Sequence, residues 1–177
     1  MALIFLRHAE PLVEAGVCYG QSDVGARHLS KQDLDAVVRG LPATLTAIDT
    51  SPLSRCTQLA ELIADRFKLP LRIDPRLREI DFGRWEMTPW DDIPRDEIDA
   101  WAADVTGANP HGGETVREMT ERVKSYLENT SFENSDILAV THMGVVRCAH
   151  ASAGYDGALE MKLGYAQTMK FNQRPDE

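Results

Sequence analysis

Short apolar runs alternate along this chain with segments in which apolar residues recur every three or four positions. Residues 2–6, Leu45–Thr50 and Asp136–Thr141 have the length and composition of buried strands, and residues 70–73 predict a shorter one. Strands that alternate with helices favour a mostly parallel sheet covered on both faces. The pattern therefore predicts an α/β fold, a three-layer α/β/α sandwich with a mostly parallel central sheet.

Capping signals locate the first two helices. Ser30 suits the N-cap of a helix over Lys31–Arg39, and the glycine and proline that follow predict its end. Ser51-Pro52 predicts a second helix start, with serine as the cap and proline at the first helical position. That helix is expected to continue to about Phe67, because its apolar residues share one face up to this point.

The second half of the chain carries two further helices and an acidic segment that contains three tryptophans. Thr115 and Glu118 form a capping box ahead of one helix. Another helix is predicted from Val145, directly after the late strand. Residues 85–104 are acidic, and Pro94 predicts that they divide into two short helices.

Composition indicates one domain and argues against several classes of function. The 177 residues suit a single domain over residues 1–177, with a small helical cap inserted at about residues 86–112. A net charge of −9 argues against nucleic acid as a partner, because binding its phosphates requires an excess of Lys and Arg. No apolar stretch is long enough to cross a membrane, and the start lacks the parts of a signal peptide, so the expected location is the cytoplasm.

The cysteines favour neither a disulfide framework nor a zinc site. Cys18, Cys56 and Cys148 are odd in number and widely spaced. The sequence also lacks a cluster of Asp residues with the spacing of metal ligands. We therefore expect no metal and no cofactor. The sequence leaves the oligomeric state open, a homodimer included.

Polar residues suited to phosphate chemistry follow three of the predicted strands. Arg7 and His8 end the first strand, Arg55 lies just beyond the second, and His142 follows the late one. In open α/β folds such strand ends meet at one edge of the sheet, where ligands bind. A neutral histidine can act as a nucleophile, and the planar fork of arginine matches a phosphoryl group. The Arg7-His8 pair alone is more typical of a surface loop, so the hypothesis depends on this convergence.

Five motifs strengthen the hypothesis by occurring in a fixed order along nearly the whole chain. They are R-H-A-E at residues 7–10, S-P-L-S-R at 51–55, L-R-E-I-D-F-G-R-W-E at 77–86, G-G-E-T at 112–115 and T-H-M-G at 141–144. Together they resemble the histidine phosphatase superfamily. The resemblance implies a phosphoglycerate-mutase-like fold and a small phosphorylated metabolite as the partner.

The resemblance also implies a role for each matching residue. His8 would attack phosphorus and become a phosphohistidine. Arg7, Arg55 and His142 would bind the phosphoryl oxygens and stabilise charge in the transition state. Glu79 would protonate the leaving oxygen and then deprotonate the attacking water. The two arginines and the imidazolium would take the place of a metal ion.

Two parts of the motif pattern leave alternatives open. Asp81 or Glu86 could be the proton donor instead of Glu79, which could pair with a neighbouring arginine. Glu14 stands where the family often has an asparagine that contacts the phosphate, and Met143 replaces a frequent glycine. Glu14 puts one phosphate contact in question, whereas a backbone N–H remains available at residue 143.

Within the superfamily, two segments resemble the α-ribazole phosphatases of cobalamin biosynthesis. One is G-V-C-Y-G-Q-S-D at residues 16–23, which makes Gln21 and Ser22 candidate substrate-binding residues; the other begins at Trp85. The resemblance implies hydrolysis of α-ribazole 5′-phosphate, and a tryptophan could stack on its benzimidazole ring. A tryptophan in such a segment is, however, more typical of a packing residue that anchors the cap, and this applies to Trp85.

Three other functions remain open on the sequence. A broad-specificity or sugar-phosphate phosphatase of the same fold would carry the same motifs. A phosphoglycerate mutase is disfavoured, because mutases usually have a longer insert than the roughly 25 residues between Glu86 and Gly112. A non-catalytic phosphate-binding scaffold is disfavoured because it would not need the complete set of catalytic residues.

Overall fold

The computed structural model describes residues 2–130 and 135–172, which form a five-stranded sheet flanked by helices. The strands are β1 (Leu3–Arg7), β2 (Val17–Cys18), β3 (Leu45–Thr50), β4 (Leu71–Ile73), β5 (Thr88–Pro89), β6 (Asp136–Thr141) and β7 (Thr168–Phe171). The helices are α1 (Lys31–Arg39), α2 (Ser54–Phe67), α3 (Arg95–Ala103), α4 (Val116–Asn129) and α5 (Met143–Ser152). The predicted domain over residues 1–177 also includes residue 1, residues 131–134 and residues 173–177, which lie outside the described residues.

The main sheet is parallel except at one edge, in the order β4-β3-β6-β1-β7. β1 and β3 both pair in parallel with β6, β4 extends β3 in parallel, and β7 runs antiparallel to β1. The prediction of a mostly parallel sheet is confirmed. The sequence does not predict β7, because its residues are largely exposed and lack the continuous apolar character of a central strand.

Side chains of β1 alternate between two hydrophobic cores, one on each face of the sheet. Leu3 and Phe5 pack into a core shared with α4 and α5. Ile4 and Leu6 pack into a second core that includes residues of α2 and partly buried residues of α1. Because each face is covered by helices, the predicted three-layer α/β/α sandwich is confirmed.

Two predicted helix starts are wrong by a few residues. α2 begins at Ser54 rather than at Ser51-Pro52, because the Asp23 carboxylate accepts hydrogen bonds from the Ser54 backbone N–H at 2.7 Å and hydroxyl at 2.6 Å. α5 begins at Met143 rather than Val145. In contrast, the predicted cap at Ser30 and the predicted capping box ahead of α4 are confirmed.

The cap differs from its prediction in its first half. Residues 85–104 contain one α-helix, α3, which begins directly after Pro94. The residues before Pro94 form single 3₁₀ turns and the short strand β5, which pairs with β2 in a separate two-stranded sheet. No helix within residues 2–130 or 135–172 combines the length and apolar character needed to cross a membrane.

Candidate active site

Strands β1, β3 and β6 deliver their polar ends to the same edge of the sheet. The backbone N–H of His8 donates to the Thr141 carbonyl at 3.0 Å, so the end of β1 is in register with the end of β6. The imidazole rings of His8 and His142 therefore lie close together, with 5.0 Å between their centroids. Arg55 approaches from the first turn of α2 and is fully buried. The structure therefore brings His8, His142 and Arg55 to one edge of the sheet, as the sequence predicts.

His8 is held as a neutral imidazole with one nitrogen available for attack. Its Nδ1 lies 2.7 Å from the Ala9 carbonyl oxygen, and an N–H is the only group that can bond to a carbonyl, so the proton resides on Nδ1. Burial lowers the pKa of His8 to about 3; the bond to Ala9 opposes this shift, and the charges of Arg55 and Arg7 add to it. The Nε2 lone pair is consequently free at neutral pH.

The two arginines of the site are anchored by backbone carbonyl groups. Arg55 donates from Nη1 to the Ser22 carbonyl at 2.8 Å and from Nη2 to the Gly20 carbonyl at 2.6 Å. Arg7 donates from Nη1 to the Leu163 carbonyl at 2.7 Å. Among the described residues, the buried Nε–H groups of both arginines have no acceptor. Two positive charges and two free donors thus remain for an anionic ligand.

His142 is oriented by two residues that the sequence analysis did not assign to the site. Its Nε2 lies 2.9 Å from the Ser51 hydroxyl oxygen and 3.4 Å from the Cys56 sulfur. Burial, with the charge of Arg55, lowers the pKa of His142 well below its usual value, so this imidazole is neutral as well. A hydroxyl that donates to Nε2 leaves the ring proton on Nδ1. Ser51 belongs to the S-P-L-S-R motif, but its sequence context was interpreted only as a helix cap.

Glu79 lies beside His142, at the N-terminal end of α5. Its carboxylate accepts from the Ile80 N–H at 3.0 Å and from the Gly144 N–H at 3.3 Å. Residue 144 must be glycine for this contact, because a Cβ there would collide with the Glu79 carboxylate. The carboxyl group is therefore fixed next to the second histidine of the site.

The two alternative acids have structural partners of their own. Glu86 accepts from the Gln21 N–H at 2.7 Å, the Ser22 hydroxyl at 2.5 Å and the Phe82 N–H at 3.1 Å. Asp81 accepts from the Gly83 N–H at 2.7 Å and so stabilises a turn. These contacts favour Glu79 as the proton donor, because of these three acids it is Glu79 that lines the cavity described below and contacts the first turn of α5, directly after His142.

Gln21 and Ser22, which the sequence offers as substrate-binding residues, lie at the junction between Glu79, Glu86 and Arg55. The Gln21 side chain donates from Nε2 to the Glu79 carbonyl at 3.0 Å. The Ser22 hydroxyl donates to Glu86, while its carbonyl accepts from Arg55. Both residues therefore connect the acid segment to the arginine segment, and a direct contact with substrate stays a prediction.

The remaining candidates lie in three different environments. Glu14 is exposed in the turn that precedes β2, and its predicted contact with the phosphoryl group stays a prediction. Trp85 is only 2% exposed, and its indole N–H donates to Glu97 at 2.7 Å, which favours packing of the cap over contact with substrate. Met143 faces a cavity, as does a tryptophan that the sequence analysis did not select, Trp101.

That cavity has a volume of about 220 Å³ and opens beside the Glu79 carboxylate. Its lining is mostly apolar and includes Ile80, Phe82, Trp101, Val116, Met119 and Met143. Arg147 is the cationic residue of the wall, and its Nε donates to the Met161 carbonyl at 3.0 Å. A leaving group that receives a proton from Glu79 would extend into this space.

The sequence comparisons identify relatives that cover most of the chain. The family model of the histidine phosphatase superfamily (branch 1) matches residues 3–173. The adenosylcobalamin/α-ribazole phosphatase of Escherichia coli (strain K12) is 30% identical over 155 residues, which cover 82% of this chain and 75% of that protein. A probable phosphoglycerate mutase GpmB of Erwinia tasmaniensis is 31% identical over 152 residues, which cover 80% of this chain and 69% of the relative.

The fold has close counterparts among solved structures. The mycobacterial glucosyl-3-phosphoglycerate phosphatase superimposes with a TM-score of 0.79 at 23% sequence identity. The match covers 95% of this chain and 88% of the mycobacterial one. At this level of identity the likeness establishes the shared architecture, in agreement with the sheet order described above.

Proposed function

Because this chain belongs to the histidine phosphatase superfamily (branch 1), we propose that it hydrolyses phosphate monoesters through a covalent phosphohistidine formed on His8. Arg7, Arg55 and His142 bind the phosphoryl oxygens, and Glu79 exchanges a proton with the leaving group and with water. No metal ion takes part in this scheme, because the two guanidinium groups supply the positive charge that the transferred phosphoryl group requires.

The observation that carries this proposal is the pair of buried Nε–H groups on Arg7 and Arg55. Neither has an acceptor within the described residues, and burying a donor without an acceptor costs about 1–3 kcal/mol. A phosphoryl group between the two arginines would accept both bonds, and charge-assisted hydrogen bonds are stronger than neutral ones. The site is thus arranged so that an anion removes an energetic penalty that the free protein carries.

In the first step, the Nε2 lone pair of His8 attacks phosphorus and the bond to the leaving oxygen breaks. The Nδ1–H bond to the Ala9 carbonyl supports this role, because it keeps the lone pair on Nε2 and interacts favourably with the positive charge that develops on the ring. Glu79, in its acid form, donates a proton to the leaving oxygen, so that an alcohol departs.

In the second step, a water molecule attacks the phosphorus of the phosphohistidine. The Glu79 carboxylate accepts a proton from this water, the N–P bond breaks, and its electron pair returns to Nε2 of His8. Inorganic phosphate leaves the two arginines. The covalent intermediate divides one difficult displacement into two easier ones.

For the substrate, we propose α-ribazole 5′-phosphate. The support is twofold: the Escherichia coli relative at 30% identity carries the name adenosylcobalamin/α-ribazole phosphatase, and an apolar cavity adjoins the proton donor. A nucleoside with a benzimidazole base has the flat apolar surface that Phe82 and Trp101 can contact.

A second candidate is action on a phosphorylated hydroxy acid or sugar. The relative named probable phosphoglycerate mutase is equally similar in sequence, and Arg147 on the cavity wall could bind a carboxylate. As a phosphatase, this candidate uses the same His8 and Glu79 chemistry and differs in the group that occupies the cavity. As a mutase, it would transfer the phosphoryl group from His8 to a hydroxyl of the substrate instead of to water.

The deciding experiment measures phosphate release from α-ribazole 5′-phosphate, several sugar phosphates, 3-phosphoglycerate and p-nitrophenyl phosphate, with His8→Ala as the blank. A kcat/KM for α-ribazole phosphate about a hundredfold above the others, or about 2.7 kcal/mol of discrimination, would establish the substrate. Equal rates across the panel would retain the chemistry and reject this substrate. Conversion of 3-phosphoglycerate to its isomer would establish the mutase alternative.

Two further measurements test the chemistry itself. EDTA should leave turnover unchanged. Complete loss of turnover in the presence of EDTA would reject the scheme in which the two arginines supply the positive charge. Rapid acid-free quenching during turnover should trap phosphate on the wild-type protein and none on His8→Ala. A wild-type protein that binds phosphate but never carries it covalently on His8, and that releases none from the esters, would be a non-catalytic scaffold.

A further inference from the structure

The G-G-E-T motif takes no part in the proposed reaction, yet it lies against the segment that carries Glu79. The backbone N–H of Glu114 donates to the Asp81 carbonyl at 2.8 Å. A Cβ on Gly113 would collide with the same carbonyl, so only glycine allows the two segments to approach this closely. The motif therefore contacts the acid segment, residues 76–81, at its C-terminal end.

The same motif begins α4, and α4 places an arginine beside the acid segment. Thr115 is the N-cap residue of α4, and Arg122 lies about two turns further along the helix. The Glu114 carboxylate accepts from Nε of Arg122 at 2.6 Å and from Nη2 at 2.7 Å. The two side chains are only 19% and 16% exposed. They form a bidentate ion pair that is largely shielded from water.

The rest of the Arg122 guanidinium group is bonded to the backbone of the acid segment. Nη1 donates to the carbonyl oxygens of Arg76 at 2.6 Å and Arg78 at 2.8 Å. Nη2 donates to the carbonyl oxygen of Glu79 at 3.1 Å. Together with the two bonds to Glu114, these contacts use all five N–H groups of the arginine. Its donors are thus engaged inside the protein and are not left over for a substrate.

Side-chain donors replace the secondary structure that the acid segment lacks. Residues 78–82 belong to neither a helix nor a strand, so their backbone groups need other partners. The Leu77 carbonyl accepts from the Thr141 hydroxyl at 2.8 Å. The Glu79 carbonyl accepts from Nε2 of Gln21 at 3.0 Å as well as from the arginine. Four successive carbonyl groups, ending with that of Glu79, are therefore held by side chains from other parts of the chain.

We propose that Arg122, held by Glu114, is a positioning residue for the proton donor. The inference rests on the proposed function of the site, in which Glu79 donates a proton to the leaving oxygen. The Glu79 carboxylate accepts from the backbone N–H groups of Ile80 and Gly144, so its position depends on how the main chain is held. Because Arg122 holds the carbonyl group of the same residue, it acts on proton transfer to the leaving oxygen and not on the phosphoryl oxygens.

The pairing with Glu114 gives the arginine the geometry that this role requires. Two parallel bonds to one carboxylate fix the plane of the guanidinium group and so direct its other N–H groups at the three carbonyls. Arg122→Lys would keep the charge, but an ammonium group has three donors without a fixed plane and cannot make all five contacts. Glu114→Gln would keep the shape of the carboxylate and remove its charge. The two substitutions therefore disturb the same support from its two sides.

The test measures kcat/KM for an alkyl phosphate, glycerol 2-phosphate, and for p-nitrophenyl phosphate, whose leaving group needs little protonation. Arg122→Lys and Glu114→Gln are each made alone and together with Glu79→Gln. The matched control is Arg72→Lys, which changes an arginine paired with a buried carboxylate, Asp49, on strand β4. Orthovanadate inhibition reports the phosphoryl site, and melting temperatures report folding.

Arg122→Lys should lower kcat/KM for the alkyl ester by about thirtyfold and for p-nitrophenyl phosphate by about threefold at most, because a misplaced acid affects mainly a leaving group that needs its proton. Glu114→Gln should show the same selectivity, with a loss of about tenfold on the alkyl ester. In the Glu79→Gln background neither substitution should reduce alkyl turnover further, since the group that they position no longer donates a proton. Vanadate affinity should be unchanged, and Arg72→Lys should show no selectivity between the esters.

Three results would overturn the proposal. The first is no loss, or an equal loss on both esters, in Arg122→Lys and Glu114→Gln, which would make the pair a general support of the fold. The second is a further full loss when either substitution is added to Glu79→Gln. The third is a loss of vanadate affinity as large as the loss on the alkyl ester, which would place the effect at the phosphoryl oxygens. Should Arg122→Lys fail to fold, Glu114→Gln decides between these outcomes.

The wild-type protein, His8→Ala and Glu79→Gln are measured first, so that failure of the proposed function can be recognised separately. A wild-type protein that releases no phosphate from either ester would reject the proposed function itself. Equal losses on both esters in Glu79→Gln would retain the phosphatase and reject Glu79 as the proton donor, and with it the positioning role of Arg122.

Discussion

The phosphoryl site and the aromatic cluster of the cap are each built around buried residues, but they are held together by different forces. In the phosphoryl site, His8, Arg55 and His142 are fixed by hydrogen bonds, many of them to backbone at the ends of strands. In the cap, aromatic rings pack against one another, with centroids 4.9–6.1 Å apart around Trp85 and His111. The phosphoryl site depends on polar groups at defined positions, and the cap depends on close packing of its aromatic side chains.

Because of this difference, we expect the phosphoryl site to determine the reaction and the cap to determine which substrates fit the cavity. A polar change in the phosphoryl site should alter the reaction and leave the fold, because the backbone there is set by the sheet. A change of volume in the cap should alter the stability of the fold and the shape of the cavity, whose wall includes Phe82 and Trp101.

The largest effect is expected for Glu79→Gln in the phosphoryl site. It should lower kcat/KM for an alkyl phosphate by about a thousandfold, because kcat/KM reports the transfer to His8, in which general acid catalysis is lost. The loss with p-nitrophenyl phosphate should be much smaller, since that leaving group needs little protonation. Steady-state kinetics on both esters measure the difference. The matched variant Glu86→Gln should affect both esters alike; a selective loss there, with equal losses for Glu79→Gln, would assign the proton donor to Glu86.

In the cap, Trp85→Ala should lower the free energy of unfolding by about 3 kcal/mol, because it empties a large buried volume. Its indole N–H bond to Glu97 is lost as well. Urea titration measures the change, and Trp101→Ala is the comparison, because Trp101 is only partly buried and should cost less. A decrease of less than about 1 kcal/mol in the free energy of unfolding of Trp85→Ala would contradict the interpretation that close packing stabilises the cap.

The phosphoryl site should also make the protein sensitive to acid. Burial lowers the pKa of His8 to about 3 in the folded protein, against about 6.5 when unfolded. Between these values the unfolded chain binds more protons, so the free energy of unfolding decreases as the pH falls from 6.5 towards 3. From pH 7 to pH 5, His8 alone should account for about 2 kcal/mol. Urea titrations at both pH values measure this, and His8→Gln should show a correspondingly smaller decrease; an unchanged decrease would show that His8 is not the group that titrates.

The smallest effect is expected for Trp101→Leu at the boundary of the two regions. It should lower kcat/KM for α-ribazole phosphate by about tenfold, or about 1.4 kcal/mol, through loss of contact with the aromatic base. Turnover of a small sugar phosphate should not change, because such a leaving group does not reach this wall. Parallel loss on both substrates would mean that Trp101 supports the catalytic residues and not the specificity of the cavity.

The sequence was most informative where side-chain position follows from strand register. Arg7, His8 and His142 directly follow predicted strands, so their convergence could be inferred from the parallel sheet. The start of α2 could not, because it depends on Asp23, a residue distant in sequence that caps Ser54. The contact of Ser51 with His142 could not be inferred either, because the local sequence predicts only a helix cap there.

The cap and the contact between Arg7 and Tyr165 were beyond sequence reasoning for a different reason. Acidic residues and tryptophans around Pro94 fit a helical pattern, but β5 forms there because β2 pairs with it. Tyr165 belongs to no motif, and its place beside Arg7 follows from the backbone turn at Ala166. Contacts of this kind depend on tertiary pairing, which local propensity does not encode.

The position of β1 in the sheet has a consequence for how the molecule forms. Its two neighbours, β6 and β7, both come from the last quarter of the chain. The strand that leads to the nucleophile is therefore synthesised well before either of the strands that pair with it. Pairing over such distances slows folding. A growing chain that has not reached β6 holds His8 without Thr141 and His142, and it can complete the catalytic centre only after these residues have been synthesised.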